Sequence, residues 1–590
     1  MDQEAKPCQN CKAEFTIEPE DFAFYEKIKV PPPTWCPECR LMRRVTWRNE
    51  RSLYKRKCDL CGSSIISIYH PDSYVRVYCP KCWWSDNWDQ SIAGRDYNFS
   101  KSFFEQFDLL FHKAPVDSLA GKNNVGTDYY NYASNLKDCY LVFSSIDAEN
   151  GNYFARGLYV KDAMDIWQTR HSERCYETIE CNKCFNLFFG QHCDGCSDSF
   201  FLYDCRNCSN CFGCVNLRSK QYCIFNQQYT KEEYAVKLKD LNLGSYLNFL
   251  KTKNDFQNFY LGFPRRYAMI TKSVNAKGHN IANVSNCIAC FEAQDEIKDC
   301  KYLVLLADRV TDIYDATYGG FGSEVGVENL GCVGNNLYFS GHVWYSYNVQ
   351  YSHNCIDCHD LFACIGLRNK QYCILNKQYS KEEYEALVPK IIQQMNDLPY
   401  KDKKGRVYKH GEFFPPELSP FSYNETIAQE YFPLTKEEAI EKGYAWRDPE
   451  ERNYQITMKT DQLPDHIKDA PDSILREVIE CAHQGNCNEQ CTTAFRIIPQ
   501  ELQFYRKMNL PLPRLCPNCR HYQRLKQRNP LKLWTRQCQC AGERSQNGVY
   551  QNTTPHTHGT NSCPNTFETS YSPDRPEIVY CEECYLKEVV

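Results

Sequence analysis

Cys36-Pro37-Glu38-Cys39-Arg40-Leu41-Met42-Arg43-Arg44 returns 480 positions later as Cys516-Pro517-Asn518-Cys519-Arg520-His521-Tyr522-Gln523-Arg524. Around the first copy stand Cys8-x2-Cys11, Cys58-x2-Cys61 and Cys79-Pro80-Lys81-Cys82. Four such pairs supply the thiolates for two tetrahedral metal sites, and separated Cys pairs of this kind favour zinc over an iron-sulfur cluster. In the second copy Cys487-x3-Cys491 precedes Cys516 and Cys519, and the gap from Cys11 to Cys36 equals that from Cys491 to Cys516. Phe24-Tyr25 likewise matches Phe504-Tyr505. One Cys-x2-Cys is a weak signal, but a whole series in register across a duplication is a strong one.

The last site is read backwards from Cys581-x2-Cys584. Cys563-x7-Tyr571-x-Pro573-Asp574 matches Cys61-x7-Tyr69-x-Pro71-Asp72, so Cys563 is the counterpart of Cys61. A loop of about two dozen residues carrying His556 and His558 is inserted between it and Cys538. The predicted ligands are therefore Cys8, Cys11, Cys36 and Cys39; Cys58, Cys61, Cys79 and Cys82; Cys487, Cys491, Cys516 and Cys519; and Cys538, Cys563, Cys581 and Cys584. That implies about four zinc ions, with Cys481 and Cys540 as spare thiols. Replacement of Cys538 by Cys540, or entry of His558 into the shell, stays open.

The chain has 590 residues and a net charge of −5, too mild for a global field that would draw it to nucleic acid or membrane. The sequence offers neither a signal-like apolar stretch nor a membrane-length apolar run. The expected location is the cytoplasm, where 37 reduced cysteines suit thiolate ligands better than disulfides.

Between the metal modules the texture changes to short words: Asp138-Cys139-Tyr140, Arg174-Cys175-Tyr176, Lys183-Cys184-Phe185, Ser199-Phe200-Phe201 and Asn210-Cys211-Phe212. They recur about every dozen residues with strand-like alternation, which predicts short strands stacked as a parallel β-solenoid. Cys then serves as a small inward apolar group, although Cys205-x2-Cys208-x2-Cys211-x2-Cys214 is dense enough to suggest a metal cluster. The solenoid is itself duplicated, since Leu217 to Tyr234 returns as Leu367 to Tyr384. Each copy ends in a capping-box helix, Thr230-Lys-Glu-Glu233 and Ser380-Lys-Glu-Glu383.

The predicted fold is mostly β with small α: duplicated zinc-ribbon or treble-clef modules flank two tandem parallel β-solenoid lobes with capping helices. The boundaries are a double zinc-ribbon module at 1–95, a helical connector at 96–122, and the first lobe at 123–245. A connector at 246–275 leads to the second lobe at 276–400, then an extended Pro- and aromatic-rich connector at 401–478 and the second zinc module at 479–590. The aromatics Trp83, Trp84 and Trp88 are expected to clamp the first module to the domain that follows.

The words Phe24-Tyr25-x-Lys27, Pro31 to Pro33 and Cys36-Pro-x-Cys39-Arg40 resemble those of small bacterial zinc-ribbon domains of treble-clef type. With Trp83-Trp84-Ser-Asp and the Asn-Lys-Gln-Tyr word, nearly the full length resembles a group of multi-zinc-ribbon proteins of candidate-phyla bacteria. The resemblance implies zinc and no particular activity. Some members of the group carry a CaiB/BaiF (CoA-transferase) label, but such a transferase needs an α/β fold with an Asp nucleophile, and this chain has no βαβ alternation.

Helices begun at the second Cys pairs would project Arg40, Arg43, Arg44 and Arg48, and Arg520, Arg524 and Arg528. Cations beside aromatics are a footprint for RNA or a ribonucleoprotein. The competing reading is a scaffold that binds a protein partner, its zinc purely structural. A solenoid enzyme using groups such as His192 and His342, and a metal reservoir, rank below both. No membrane partner is expected.

Overall fold

The computed structural model describes residues 2–156, 164, 166, 187–449, 455–541, 544–545 and 550–590. The chain is mostly β, with twelve α-helices among these residues and cysteine clusters at both ends.

In the first lobe the strands Leu187–Gln191, Ser199–Tyr203, Ser209–Phe212 and Gln221–Ile224 pair in parallel, each residue with the one 12 positions on (Phe200 with Phe212, Cys211 with Cys223). The same step joins Val125, Lys137 and Glu149 upstream. The words around Cys175 and Cys184 lie outside the described residues. In the second lobe a parallel sheet runs from Ile270 to Ile374. Strands two apart in the chain also pair there, Ile281–Phe291 with Val304–Ala307 and Gln294–Lys301 with Val310–Gly320, so the sheet closes on itself as a barrel-like tube.

A finer period runs inside the 12-residue step. Asn135, Asp138, Leu141, Ser144, Asp147 and Asn150 all have φ between 50° and 59°. The residue after each of the first five (Leu136, Cys139, Val142, Ser145, Ala148) is buried. Each triplet is thus a left-handed corner, an inward residue and a connecting residue, and four triplets complete one coil. Left-handed backbone is costly for most L-residues and least so for Asn and Asp, which accounts for their frequency at the corners. Stacked corners also bond to one another: Asn123 donates to Asn135 at 3.1 Å and Asn135 to Asp147 at 2.8 Å, while Asn336 donates to Asn348 at 3.0 Å and Asn348 to Asp360 at 3.1 Å.

Inward cysteines lie along the axis of each lobe. The Cys214 thiol lies 3.3 Å from the Phe212 carbonyl and 3.5 Å from that of Cys223, and Cys364 makes the matching pair with Phe362 and Cys373. Both lobes finish alike. An antiparallel return pairs Cys223 with Gln228 and Cys373 with Gln378, and capping-box helices Lys231–Asp240 and Lys381–Asp397 follow.

The two terminal modules that carry the cysteine clusters sit crosswise on this body. The N-terminal helix Pro37–Val45 packs against the second lobe's strands Val310–Gly320 and Glu324–Leu330, and Phe24 stacks on Tyr314 with ring centroids 3.8 Å apart. Trp83 is buried, and the Arg368 guanidinium at the end of the second lobe lies 5.4 Å from its ring centroid. Gly366, at φ 69°, lets the Pro115 carbonyl approach so closely that a Cβ would lie 2.5 Å from it. The amphipathic helix Phe103–Phe111 also lies on the second lobe, with Phe103 on Tyr351 and Phe362. In the Pro-rich connector Phe414 is fully buried and stacked on Phe107 at 4.6 Å.

The C-terminal module takes the first lobe. Glu501 accepts from Tyr153 at 2.9 Å, the Tyr571 and Tyr203 hydroxyls are 3.0 Å apart, and Tyr585 bonds to Asn216 at 3.1 Å and to Asp204. The two modules also touch, through Lys532 with Glu38 at 3.0 Å and Ser52 with Gln490 at 3.2 Å.

Candidate metal centres and the groove between the lobes

Each tetrad is built from a hairpin turn and a helix start. In the first, strands Glu4–Pro7 and Glu14–Ile17 form the hairpin whose turn carries Cys8 and Cys11. Cys36 is the N-cap of helix Pro37–Val45, where Pro at the first position suits the fixed φ and missing N–H, and Cys39 lies in the first turn. The sulfurs of Cys8, Cys11, Cys36 and Cys39 lie within 4.8 Å of one another. Two N–H groups point at them, Cys36 N to Cys8 Sγ at 3.2 Å and Asn10 Nδ2 to Cys39 Sγ at 3.3 Å. Such donors stabilise thiolates. The second tetrad, Cys58, Cys61, Cys79 and Cys82, repeats the plan, with Cys79 N on Cys58 Sγ at 3.3 Å. There Ser63 helps hold the Cys61 thiol down at about 6.

In the third tetrad the grouped residues are Cys481, Cys491, Cys516 and Cys519. Cys487, which sequence spacing indicated, is half-buried beside the tetrad with its Sγ 3.8 Å from that of Cys519. Hydrogen bonding identifies Cys481 as the counterpart of Cys8. Cys516 N reaches Cys481 Sγ at 3.3 Å as Cys36 N reaches Cys8, and Ala482 N bonds Arg514 O at 2.9 Å as Gln9 N bonds Thr34 O at 2.9 Å. The turn between the first two cysteines is seven residues longer here (491 − 481 = 10 against 11 − 8 = 3), which places Cys487 inside it.

The fourth tetrad brings together Cys538, Cys563, Cys581 and Cys584 across the long insertion, with Cys581 N on Cys538 Sγ at 3.2 Å. Cys540 is outside this set but close to it, grouped with His556, His558 and Cys584. In the first, third and fourth tetrads neighbouring thiols push one sulfur far down: Cys8 through Cys36, Cys516 through Cys481 and Cys581 through Cys538.

The arginines of the helices that begin at Cys36 and Cys516 face inward, contrary to the outward face expected of them. Arg40, Arg43, Arg44, Arg48, Arg520 and Arg524 are buried, and Arg528 is half-buried. Arg40 Nε donates to Asp315 at 2.9 Å, Arg44 Nη1 to the same carboxylate at 3.1 Å, and Arg43 to Glu328 at 2.6 Å and to Glu412. In the other module Arg520 pairs with Glu501 at 3.1 Å, and Arg528 lies on the Tyr431 ring and donates to the Glu430 carbonyl at 3.0 Å. For the N-terminal helix the physical cause is its packing on strands that carry the buried carboxylates Asp315 and Glu328, a feature that module sequence alone does not reveal.

His342 is buried, with Nε2 3.0 Å from the Tyr132 hydroxyl, and burial pushes its pKa well down. His192 packs against Tyr203 and His279.

A groove of about 430 Å³ opens between the two lobes. Its floor holds Arg48, whose guanidinium lies 3.4 Å from the Tyr132 ring centroid and 4.2 Å from that of Tyr318, and which donates to Ser144 Oγ at 2.9 Å. Its walls carry Trp344 and the exposed rings of Tyr345, Phe321 and Trp84, and Lys122 sits over Tyr345 at 5.5 Å. No described helix is long and apolar enough to cross a membrane. Comparison with protein-family models, with curated proteins and with solved structures finds no match to this chain, so the assignment of these sites rests on their geometry.

Proposed function

We propose that this chain is a zinc-binding scaffold protein in which four all-cysteine zinc sites fold the terminal ribbon modules, and these clamp two parallel β-solenoid lobes crosswise into one body. The observation that carries the reading is the inward turn of the ribbon helices. In the N-terminal module Arg40, Arg43 and Arg44 are spent on Asp315 and Glu328 of the second lobe and on Glu412, and in the other module Arg520 is spent on Glu501, which fits a structural role for the zinc modules. All-cysteine tetrads hold zinc without an open coordination position, which also fits structure over catalysis. No disulfide joins the described cysteines, which fits a reducing compartment such as the cytoplasm.

The groove between the lobes is the surface on which this scaffold holds a partner protein. Exposed aromatic side chains around a buried arginine have the composition of interface anchors. Lys122 beside the exposed Tyr345 ring favours a partner segment with an aromatic or apolar anchor and a carboxylate. Affinity capture in high salt after nuclease treatment, with wild type beside a Phe321→Ala/Tyr345→Ala variant, tests it. A partner retained by wild type and lost by the variant supports the reading. Capture abolished by nuclease instead would favour the RNA or ribonucleoprotein reading.

A further inference from the structure

The insertion that distinguishes the last ribbon from its N-terminal counterpart builds a second coordination shell against the fourth tetrad. Cys540 Sγ lies 3.0 Å from His556 Nδ1 and 3.6 Å from His558 Nε2, and His558 Nε2 lies 3.4 Å from Cys584 Sγ. All four ligand atoms fall within 4.8 Å of one another. Zinc bonds of about 2.3 Å to sulfur and 2.0–2.1 Å to nitrogen place tetrahedral ligand atoms roughly 3.5 Å apart. Cys584 also belongs to the all-cysteine tetrad, with its Sγ 3.7 Å from that of Cys563.

The outer contacts are those that metal-bound histidines require. His556 turns Nδ1 to the cluster while Nε2 faces Glu588 at 2.8 Å, and His558 turns Nε2 to it while Nδ1 faces the Asn561 carbonyl at 2.7 Å. Each acceptor fixes the tautomer whose lone pair points at the cluster. Asn552 Nδ2 donates to Cys540 Sγ at 2.9 Å, as Asn565 Nδ2 does to Cys581 Sγ at 3.4 Å. The His556 and Glu588 side chains are 1% and 0% exposed, although glutamate is ordinarily left near water.

We propose that residues 538–588 hold a dinuclear zinc cluster bridged by the Cys584 thiolate. One ion takes Cys538, Cys563, Cys581 and Cys584, and the other takes Cys584, Cys540, His556 and His558. Each coordinating thiol gives its proton to solvent. Five thiolates, two neutral imidazoles and two Zn²⁺ then carry a net charge of −1, against −2 for an isolated zinc with four thiolates. The fifth ion thus reduces the charge that this buried site must accommodate. The inference rests on the reading of the fourth tetrad as a zinc site.

Native mass spectrometry of the full chain loaded with zinc, beside a His556→Ala/His558→Ala variant and a Cys563→Ser variant, tests it. The expected counts are five ions for wild type and four for the double histidine variant. Equal counts for those two proteins overturn the fifth ion, and loss of an ion in Cys563→Ser shows independently whether the reading of the fourth tetrad holds. Because the histidine variant can also lose local folding, the wild type is additionally loaded with ¹¹³Cd. Two cadmium resonances coupled to the same Cys584 β protons are expected, and coupling of those protons to one cadmium alone overturns the bridge.

Discussion

Arg40 of the first ribbon helix and Asp315 of the second lobe, 275 positions apart, meet at 2.9 Å with both side chains buried. Arg44 donates to the same carboxylate, so Asp315 is the common acceptor that locks the N-terminal module to the lobe farther from it in sequence. Removing one member of a buried ion pair leaves the other charge uncompensated. Asp315→Ala is expected to cost about 3–5 kcal/mol in the stability of the unit formed by that module and lobe, with zinc content unchanged. Hydrogen exchange of the helix Pro37–Val45 and a denaturant titration measure the loss.

The same burial makes a prediction about nucleic acid. Arg43 has no solvent exposure and is held by Glu328 and Glu412. Arg43→Ala should lower the melting temperature and leave any RNA affinity and its salt dependence as in wild type, because a buried cation releases no counterions on binding. A melting curve and a salt-dependent binding titration separate the two effects.

Cys481 and Cys487 are distinguished by substitution. Cys481→Ser is expected to weaken the third site enough to lose its zinc under mild chelation, whereas Cys487→Ser keeps the wild-type count. Elemental analysis after dialysis against a chelator checks both variants.

The axial cysteines are expected to act as core. Cys364 is fully buried, with its thiol 3.5 Å and 3.3 Å from two carbonyls. Cys364→Ala removes packed volume in the second lobe and should cost about 1–2 kcal/mol with no change in metal content.

Acid should destabilise the body before the zinc sites alone explain it. Burial lowers His279 and His353 to about 3 and His410 to about 4. Unfolded histidine titrates near 6.5, so between that value and the folded one the unfolded chain binds more protons, and stability falls as pH falls. Each such histidine contributes a slope of up to about 1.4 kcal/mol per pH unit in that window. His353 packs against Trp47 and Phe111, and His353→Phe should flatten the melting temperature against pH below 6.5 relative to wild type, at equal zinc content.

The sequence makes the metal half-sites legible because a tetrahedral ion demands paired thiolates at fixed spacing, and the duplication supplies its own alignment. The alignment fails at Cys481, where a lengthened turn carries a second Cys at nearly the expected place. The 12-residue repeat is legible as well, but its triplet is not read from strand alternation. Its signal is Asn or Asp at every third position beside the inward Cys, as in Asp204, Asn207 and Asn210, which mark left-handed corners. The crosswise docking is illegible by motif, because Asp315 and Glu328 read as ordinary strand residues until the arginines they neutralise are placed beside them.

Zero-length carbodiimide crosslinking of the zinc-loaded chain, read by mass spectrometry, tests the crosswise clamp most directly. The expected links are Lys27 to Asp312, 2.8 Å apart in the structure, and Lys532 to Glu38, 3.0 Å apart, both weakened when zinc is removed by chelation. Links from Lys27 to residues 123–245 in place of Asp312, or the same pattern in the zinc-free protein, would contradict a zinc-dependent clamp across the two lobes.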